Sequence, residues 1–196
     1  MWRAIGSCRK ADWLKGAGTI PPSNIFAVMR FEVERKFLVS DDRWRAGVVS
    51  QRRLTDGLIG QFDMGKVRVR LDEGRAWLTV KGARVGLGRP EFEYEIPRAD
   101  AAAMLGLVCD TCLIEKTRHC VPHAGHVWEI DVYDGTLAGM ILAEVELEHE
   151  EQPFERPDWL GPEVTGDLRF RQSSLLRRSG QAGRLLTVEE VLSAPM

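Results

Sequence analysis

From Phe31 onward the chain alternates charged and apolar residues with period two, and its charged sides mostly carry one sign each. Phe31-Glu32-Val33-Glu34-Arg35-Lys36-Phe37-Leu38-Val39 sets Glu32, Glu34 and Lys36 on one face, while Phe31, Val33, Phe37 and Val39 share the other with Arg35. Residues 66–71 alternate Arg68 and Arg70 with Val67, Val69 and Leu71, and residues 76–81 set Thr79 and Lys81 against Leu78 and Val80. Glu91, Glu93 and Glu95 then alternate with Phe92, Tyr94 and Ile96. Lys116 and Arg118 share a side of residues 113–121, Glu129 and Asp131 a side of 127–133, and Glu144, Glu146 and Glu148 a side of 142–149. Only an extended strand brings every second residue to one face. With a short strand at 58–62, the pattern predicts about eight strands.

Helical signals are fewer. Ser40-Asp41-Asp42 can cap a helix reaching about residue 54, with Trp44, Val48 and Val49 as its apolar stripe. Residues 99–108 read as a helix after Pro97, and Thr187-Val188-Glu189-Glu190 reads as a capping box before Val191 and Leu192. Short turns such as Asp72-Glu73-Gly74 make most strands antiparallel. The expected class is α+β, with one domain over residues 30–196. Residues 1–29 show no periodicity, contain Gly16, Gly18 and Pro21-Pro22, and read as a poorly structured extension; Met29 is a candidate start.

One-sided charge ordinarily means a solvated sheet face. Here the charged face recurs in at least six strands whose opposite faces are apolar enough to need covering. Closing eight such strands with the charged side inward and helices outside yields a tunnel for one small ligand. Buried like charges are costly to desolvate unless a ligand neutralises them. Inward Arg and Lys suit phosphate oxygens, and paired carboxylates suit Mg2+ or Mn2+, which prefer oxygen ligands. The ligand is therefore expected to be polyanionic and accompanied by a hard divalent cation. Lys plus Arg number 27 against 29 Asp plus Glu, a net charge of −2, so overall charge makes no case for nucleic acid or an acidic membrane as partner. No apolar run reaches membrane-spanning length, and Ile25-Phe26-Ala27-Val28-Met29 is too short for a signal sequence. A cytoplasmic monomer or homodimer is expected. Cys109, Cys112 and Cys120 with His119, His123 and His126 could hold zinc, or could be a helix end followed by a hairpin with surface histidines.

Glu32-Val33-Glu34-Arg35-Lys36 has the form E-x-E-x-K. It is followed in order by Val67-Arg68-Val69-Arg70, Leu78-Thr79-Val80-Lys81, Glu91-Phe92-Glu93-Tyr94-Glu95, Lys116-Thr117-Arg118, Glu129-Ile130-Asp131, Ala143-Glu144-Val145-Glu146 and Glu163-Val164-Thr165. Over residues 30–178 this series resembles the CYTH family, the triphosphate tunnel metalloenzymes, in its short single-domain bacterial form. The resemblance implies an eight-stranded antiparallel tunnel that hydrolyses or cyclises a triphosphate with Mg2+ or Mn2+. By position, Arg68, Arg70, Lys81, Lys116 and Arg118 would hold phosphates, and Glu32, Glu34, Glu144 and Glu146 would hold metal, with Asp131 and Glu93 as further candidates. Lys36 would lie near the terminal phosphate and the attacking water.

The leading expectation is hydrolysis of the terminal phosphoanhydride of inorganic tripolyphosphate. The alternatives are an adenylate cyclase of the class IV type, a thiamine or nucleoside triphosphatase, or a binding module with weakened catalysis. Relatives of this length usually carry a tyrosine in the short second strand that orients water with the lysine; here Ile59-Gly60-Gln61-Phe62-Asp63-Met64 offers no such hydroxyl. Trp77 and Tyr94 are candidates to stack on a ring at the tunnel mouth, and Glu163 is either a tunnel acid or a cap before the tail. On this reading Arg70→Ala loses triphosphate binding with stability kept or increased.

Overall fold

The computed structural model describes residues 31–109 and 112–195. The expected extension, residues 1–29, lies outside the described residues. Eight strands form the wall: β1 (Phe31–Val39), β2 (Ser50–Phe62), β3 (Gly65–Asp72), β4 (Ala76–Gly82), β5 (Gly88–Glu95), β6 (Ile114–His123), β7 (His126–Tyr133) and β8 (Ile141–Leu147). They run in the order β5-β4-β3-β2-β6-β7-β8-β1, and β5 pairs with β1 to close the barrel. Every pairing is antiparallel. Closure removes the exposed sheet edges that would otherwise invite aggregation. β1 changes neighbours along its length: Phe31, Glu32 and Val33 face β5, whereas Phe37 and Val39 face a ninth strand, β9 (Leu160–Glu163).

The apolar faces of the strands point outward and are covered. Phe37, Trp128, Ile130, Ala143 and Val145 are buried with Trp44 and Trp159, and Phe154 packs against them. Helix α1 (Arg98–Leu107) lays Ala101, Met104 and Leu105 over Val69 and Ala76. Helices α2 (Gln172–Ala182) and α3 (Val188–Ser193) bring Leu175 and Val191 onto Leu38, Ile114, Leu137, Met140 and Leu142. The capping box of α3 forms: the Glu190 N–H donates to Thr187 Oγ1 at 3.3 Å, and the Thr187 N–H to Glu190 Oε2 at 2.9 Å.

The expected helix to residue 54 does not form. Asp41 caps only a 3-10 turn, Asp42–Gly47, anchored by the buried Trp44. Val48 and Val49 favour extended backbone. β2 then starts at Ser50 and runs 13 residues, held by β6 from Ser50 opposite Cys120 and by β3 from Leu54 opposite Asp72. The hydrophilic run Ser50-Gln51-Arg52-Arg53 hides the alternation that would have marked this strand. Among the described residues no helix is long and apolar enough to cross a membrane.

Candidate functional site

Because side chains alternate along each strand, the closed wall turns the charged faces toward one another. The register sets Lys36 opposite Glu144 and Glu34 opposite Glu146 between β1 and β8. It sets Lys81 opposite Glu91, Arg118 opposite Asp131 and Lys116 opposite Tyr133 on neighbouring pairs. The inward positions thus form clusters of ion pairs along the tunnel.

At the end marked by Gly65 and Gly88, Lys81 Nζ lies 3.0 Å from Glu32 Oε1 and 2.9 Å from Glu91 Oε2, and Arg89 Nε donates to Glu32 Oε2 at 2.7 Å. Midway, Lys36 Nζ stands 2.6 Å from Glu144 Oε1 and 3.8 Å from Glu34 Oε1, while Arg118 Nη2 donates to Glu144 Oε2 at 2.9 Å. Arg118 also grips Asp131 in bidentate fashion, both bonds 2.7 Å, and reaches Glu129. Lys116 donates to Asp131, and both residues are almost wholly buried. Toward the far end Asp56, 1% exposed, accepts two bonds from Arg70 at 2.6 and 2.9 Å and one from Arg68 at 3.5 Å.

These clusters set the titration of their members. Burial alone would raise the Glu32, Asp56 and Glu144 carboxyls, but Lys81 with Arg89, Arg70 with Arg68, and Lys36 with Arg118 respectively hold them below the usual range. Burial and the adjacent Glu144 push the Glu34 carboxyl up, only partly offset by Lys36. Glu146 is likewise raised, by burial and by Glu32, Glu129 and Glu34. Burial would lower the Lys36 ammonium, but Glu144 and Glu34 prevail and keep it charged.

Among the described residues no three His, Cys, Asp or Glu side chains already surround one point as metal ligands, since most tunnel acids are drawn to Lys and Arg. The donor set still fits a hard divalent cation. Glu34 and Glu146 are neighbouring carboxylates raised by burial and then by surrounding negative charge, a cost that a cation relieves. Glu32 and Glu144 lie on the same strands on the same faces.

The structure places every one of the expected phosphate residues, Arg68, Arg70, Lys81, Lys116 and Arg118, on inward positions with a carboxylate partner. Asp131 has both oxygens engaged as a brace for Lys116 and Arg118. Glu93 accepts from Thr79 Oγ1 at 3.0 Å and is otherwise exposed. Glu163 lies on β9, where it accepts from Arg35 Nε at 2.6 Å. Arg35 in turn lies over the Phe154 ring, 5.0 Å from its centre, so Glu163 belongs to the outer surface. Tyr94 is exposed on the outer face, while Trp77 shares the inward face of β4 with Thr79 and Lys81. The Cys and His cluster is dispersed: the His119 ring sits 5.1 Å from Trp44, the His126 ring 6.4 Å from Phe154, and Cys112 is exposed.

Four inward residues escaped sequence reasoning. Asp56 fell between the expected helix and the expected short strand. Arg89 and Lys66 sit beside glycines, outside the motifs. Tyr133 ends a strand read for its acids, yet it is buried, accepts from Gln172 Nε2 at 3.2 Å, and has Lys116 Nζ 5.6 Å from its ring centre. Phe62 is half exposed beside the β2–β3 turn. The tyrosine on the inward face of the wall is therefore on β7 in this chain. The signal was present as one more period-two position after Glu129 and Asp131.

Comparison with known proteins agrees with this geometry. The CYTH domain profile matches residues 30–179. An inorganic triphosphatase of Acetivibrio thermocellus is 41% identical over 150 residues, spanning 74% of this chain and 93% of that protein. An inorganic triphosphatase of Nitrosomonas europaea is 34% identical over 151 residues, spanning 74% and 95%. A crystal structure of an inorganic triphosphatase superposes with a TM-score of 0.55 at 30% identity, covering 74% of this chain and 93% of that one.

Proposed function

This chain belongs to the CYTH domain family, and on that premise we propose that it hydrolyses the terminal phosphoanhydride bond of a triphosphate, with inorganic tripolyphosphate as substrate. The observation that carries the reading is the set of inward cations Lys36, Arg68, Arg70, Lys81, Lys116 and Arg118, each held toward the tunnel by a carboxylate. Such a set meets phosphate oxygens with charges already positioned, which is where this chemistry gains most. The triphosphatase relatives support the same reading.

In this reading Arg68 and Arg70 from β3, Lys81 from β4, and Lys116 with Arg118 from β6 grip the phosphate oxygens. Glu34 and Glu146, with Glu32 and Glu144, would hold Mg2+ or Mn2+, an ion that, when bound, neutralises phosphate charge. Lys36 is kept protonated by Glu144 and Glu34, so it acts as a donor toward the terminal phosphate and the attacking water, and not as a base. Tyr133 is likewise kept in its phenol form, chiefly by burial and then by Asp131. It offers the water a neutral hydroxyl beside Lys36. Water attacks the terminal phosphorus, the bridging P–O bond breaks, pyrophosphate leaves with the electron pair, and the water's proton is taken up by the phosphate oxygens.

Phosphate release from purified protein tests the proposal, using tripolyphosphate, ATP, thiamine triphosphate and pyrophosphate, each with Mg2+, Mn2+ or EDTA. Metal-dependent release fastest with tripolyphosphate is the expected result. Absence of release from all four would overturn it, and cyclic AMP formed from ATP would point to a cyclase.

A further inference from the structure

One inward cation has no acid. Lys66 lies two residues before Arg68 on the same face of β3, directly across the ladder from Lys81 on β4 and beside the neutral Gln61 on β2. Among the described residues it makes no ion pair and no side-chain hydrogen bond. The groups around it are Lys81 from β4, Arg89 and Glu91 from β5, Glu32 and Lys36 from β1, and Arg68 on its own strand. The two acids in that set are already engaged: Glu32 by Lys81 and Arg89, and Glu91 by Lys81 at 2.9 Å. Lys66, Lys81 and Arg89 thus face two carboxylates, leaving one positive charge in excess on a partly buried stretch of the wall.

An uncompensated cation is an expensive thing to bury unless an anion visits it. We propose that Lys66 is a further substrate-binding residue, gripping the phosphate group that lies nearest the Gly65 end of the tunnel. The inference rests on the triphosphate reading above. Burial, then the cations Arg89, Arg68, Lys81 and Lys36, bring the Lys66 ammonium down to about 7. A phosphate alongside favours the charged form. Binding therefore draws a proton onto Lys66 above neutrality, and the affinity it contributes fades by at most about tenfold per pH unit. Below neutrality Lys66 is already charged and its contribution is full.

The test is calorimetric binding of an imido-bridged tripolyphosphate analogue with Mg2+, between pH 6 and 9, in two buffers of different ionisation enthalpy. Wild type, Lys66→Arg and Lys66→Met are compared. The analogue loses protons of its own in this range, and Lys66→Arg, with a fixed charge, reports that background. Wild type is expected to take up more protons than Lys66→Arg near pH 8. Lys66→Met is expected to bind about tenfold or more weakly at pH 6.5 and nearly as wild type at pH 9. Equal proton uptake in wild type and Lys66→Arg, with undiminished affinity in Lys66→Met, would overturn the assignment while leaving the triphosphate reading intact. Failure of every variant, wild type included, to bind the analogue would overturn the triphosphate reading itself. Loss of folding does not confuse the result: Lys66→Met removes the excess charge, so its melting temperature at pH 6 is expected to exceed that of wild type.

Discussion

Asp56 shows how one side chain alters the expectation for its neighbours. Read from sequence, Arg70 was a buried like charge whose removal would spare stability. In the fold it donates twice to a carboxylate with almost no solvent contact. Arg70→Ala leaves Asp56 with Arg68 alone at 3.5 Å, and a broken buried pair costs about 3–5 kcal/mol. Urea denaturation should show that loss along with lost tripolyphosphate binding. The double variant Asp56→Leu with Arg70→Met should recover most of the stability and none of the binding, because it removes both charges together. At Tyr133 the expectation is the reverse. Tyr133→Phe preserves the buried ring and deletes the hydroxyl near Lys36 with its bond from Gln172, so stability should fall by only about 1 kcal/mol. Turnover should fall by up to about a hundredfold with little change in KM, as steady-state kinetics would show.

At the scale of elements, the β2–β3 hairpin fixes where the cations of β3 stand. Gly65 opens β3 at φ +154°, and a Cβ there would come 2.1 Å from the backbone oxygen of Lys81. Neither group can yield without moving the β3–β4 ladder. Gly65→Ala should therefore destabilise the fold by at least about 1–3 kcal/mol and raise KM, since Lys66 and Lys81 shift with the ladder. Denaturation midpoints and initial rates check both. The misread first helix belongs to this scale too. Asp41 does cap a turn, so the local signal was genuine, but propagation lost to pairing on both edges of β2. Pairing of that kind is a non-local gain, and a hydrophilic strand does not announce it.

For the whole molecule, opposing titrations shape stability in acid. Glu32, Asp56 and Glu144 are depressed, so their contribution is present above the unfolded carboxylate value of about 4 and is lost progressively as pH falls from there through their lower folded values. Glu34, Glu91 and Glu146 are raised, so they cost stability near neutrality and recover it on protonation. The melting temperature should hold or rise slightly from pH 6.5 toward 5, then drop below about pH 4. Adding Mg2+ should raise it more at pH 7.5 than at pH 5, because holding the ion requires Glu34 and Glu146 ionised. Equal Mg2+ shifts at both pH values in scanning fluorimetry would remove those carboxylates from the metal assignment.

The sequence by itself determined which residues face inward, because a period of two fixes the side of a strand whatever its neighbours are. That was enough to read the tunnel and most of its cations and acids, though not Asp56, Lys66 or Arg89. Only the tertiary structure decided the pairing: that Asp131 braces Lys116 and Arg118, that Glu163 stays outside with Arg35, that Asp56 and Tyr133 join the site, and that Lys66 is left without an acid. Those outcomes depend on strand order and closure, with β2 lying between β3 and β6 and β1 between β5 and β8. Electrostatic partners are set by distance through space, which alternation along the chain does not contain.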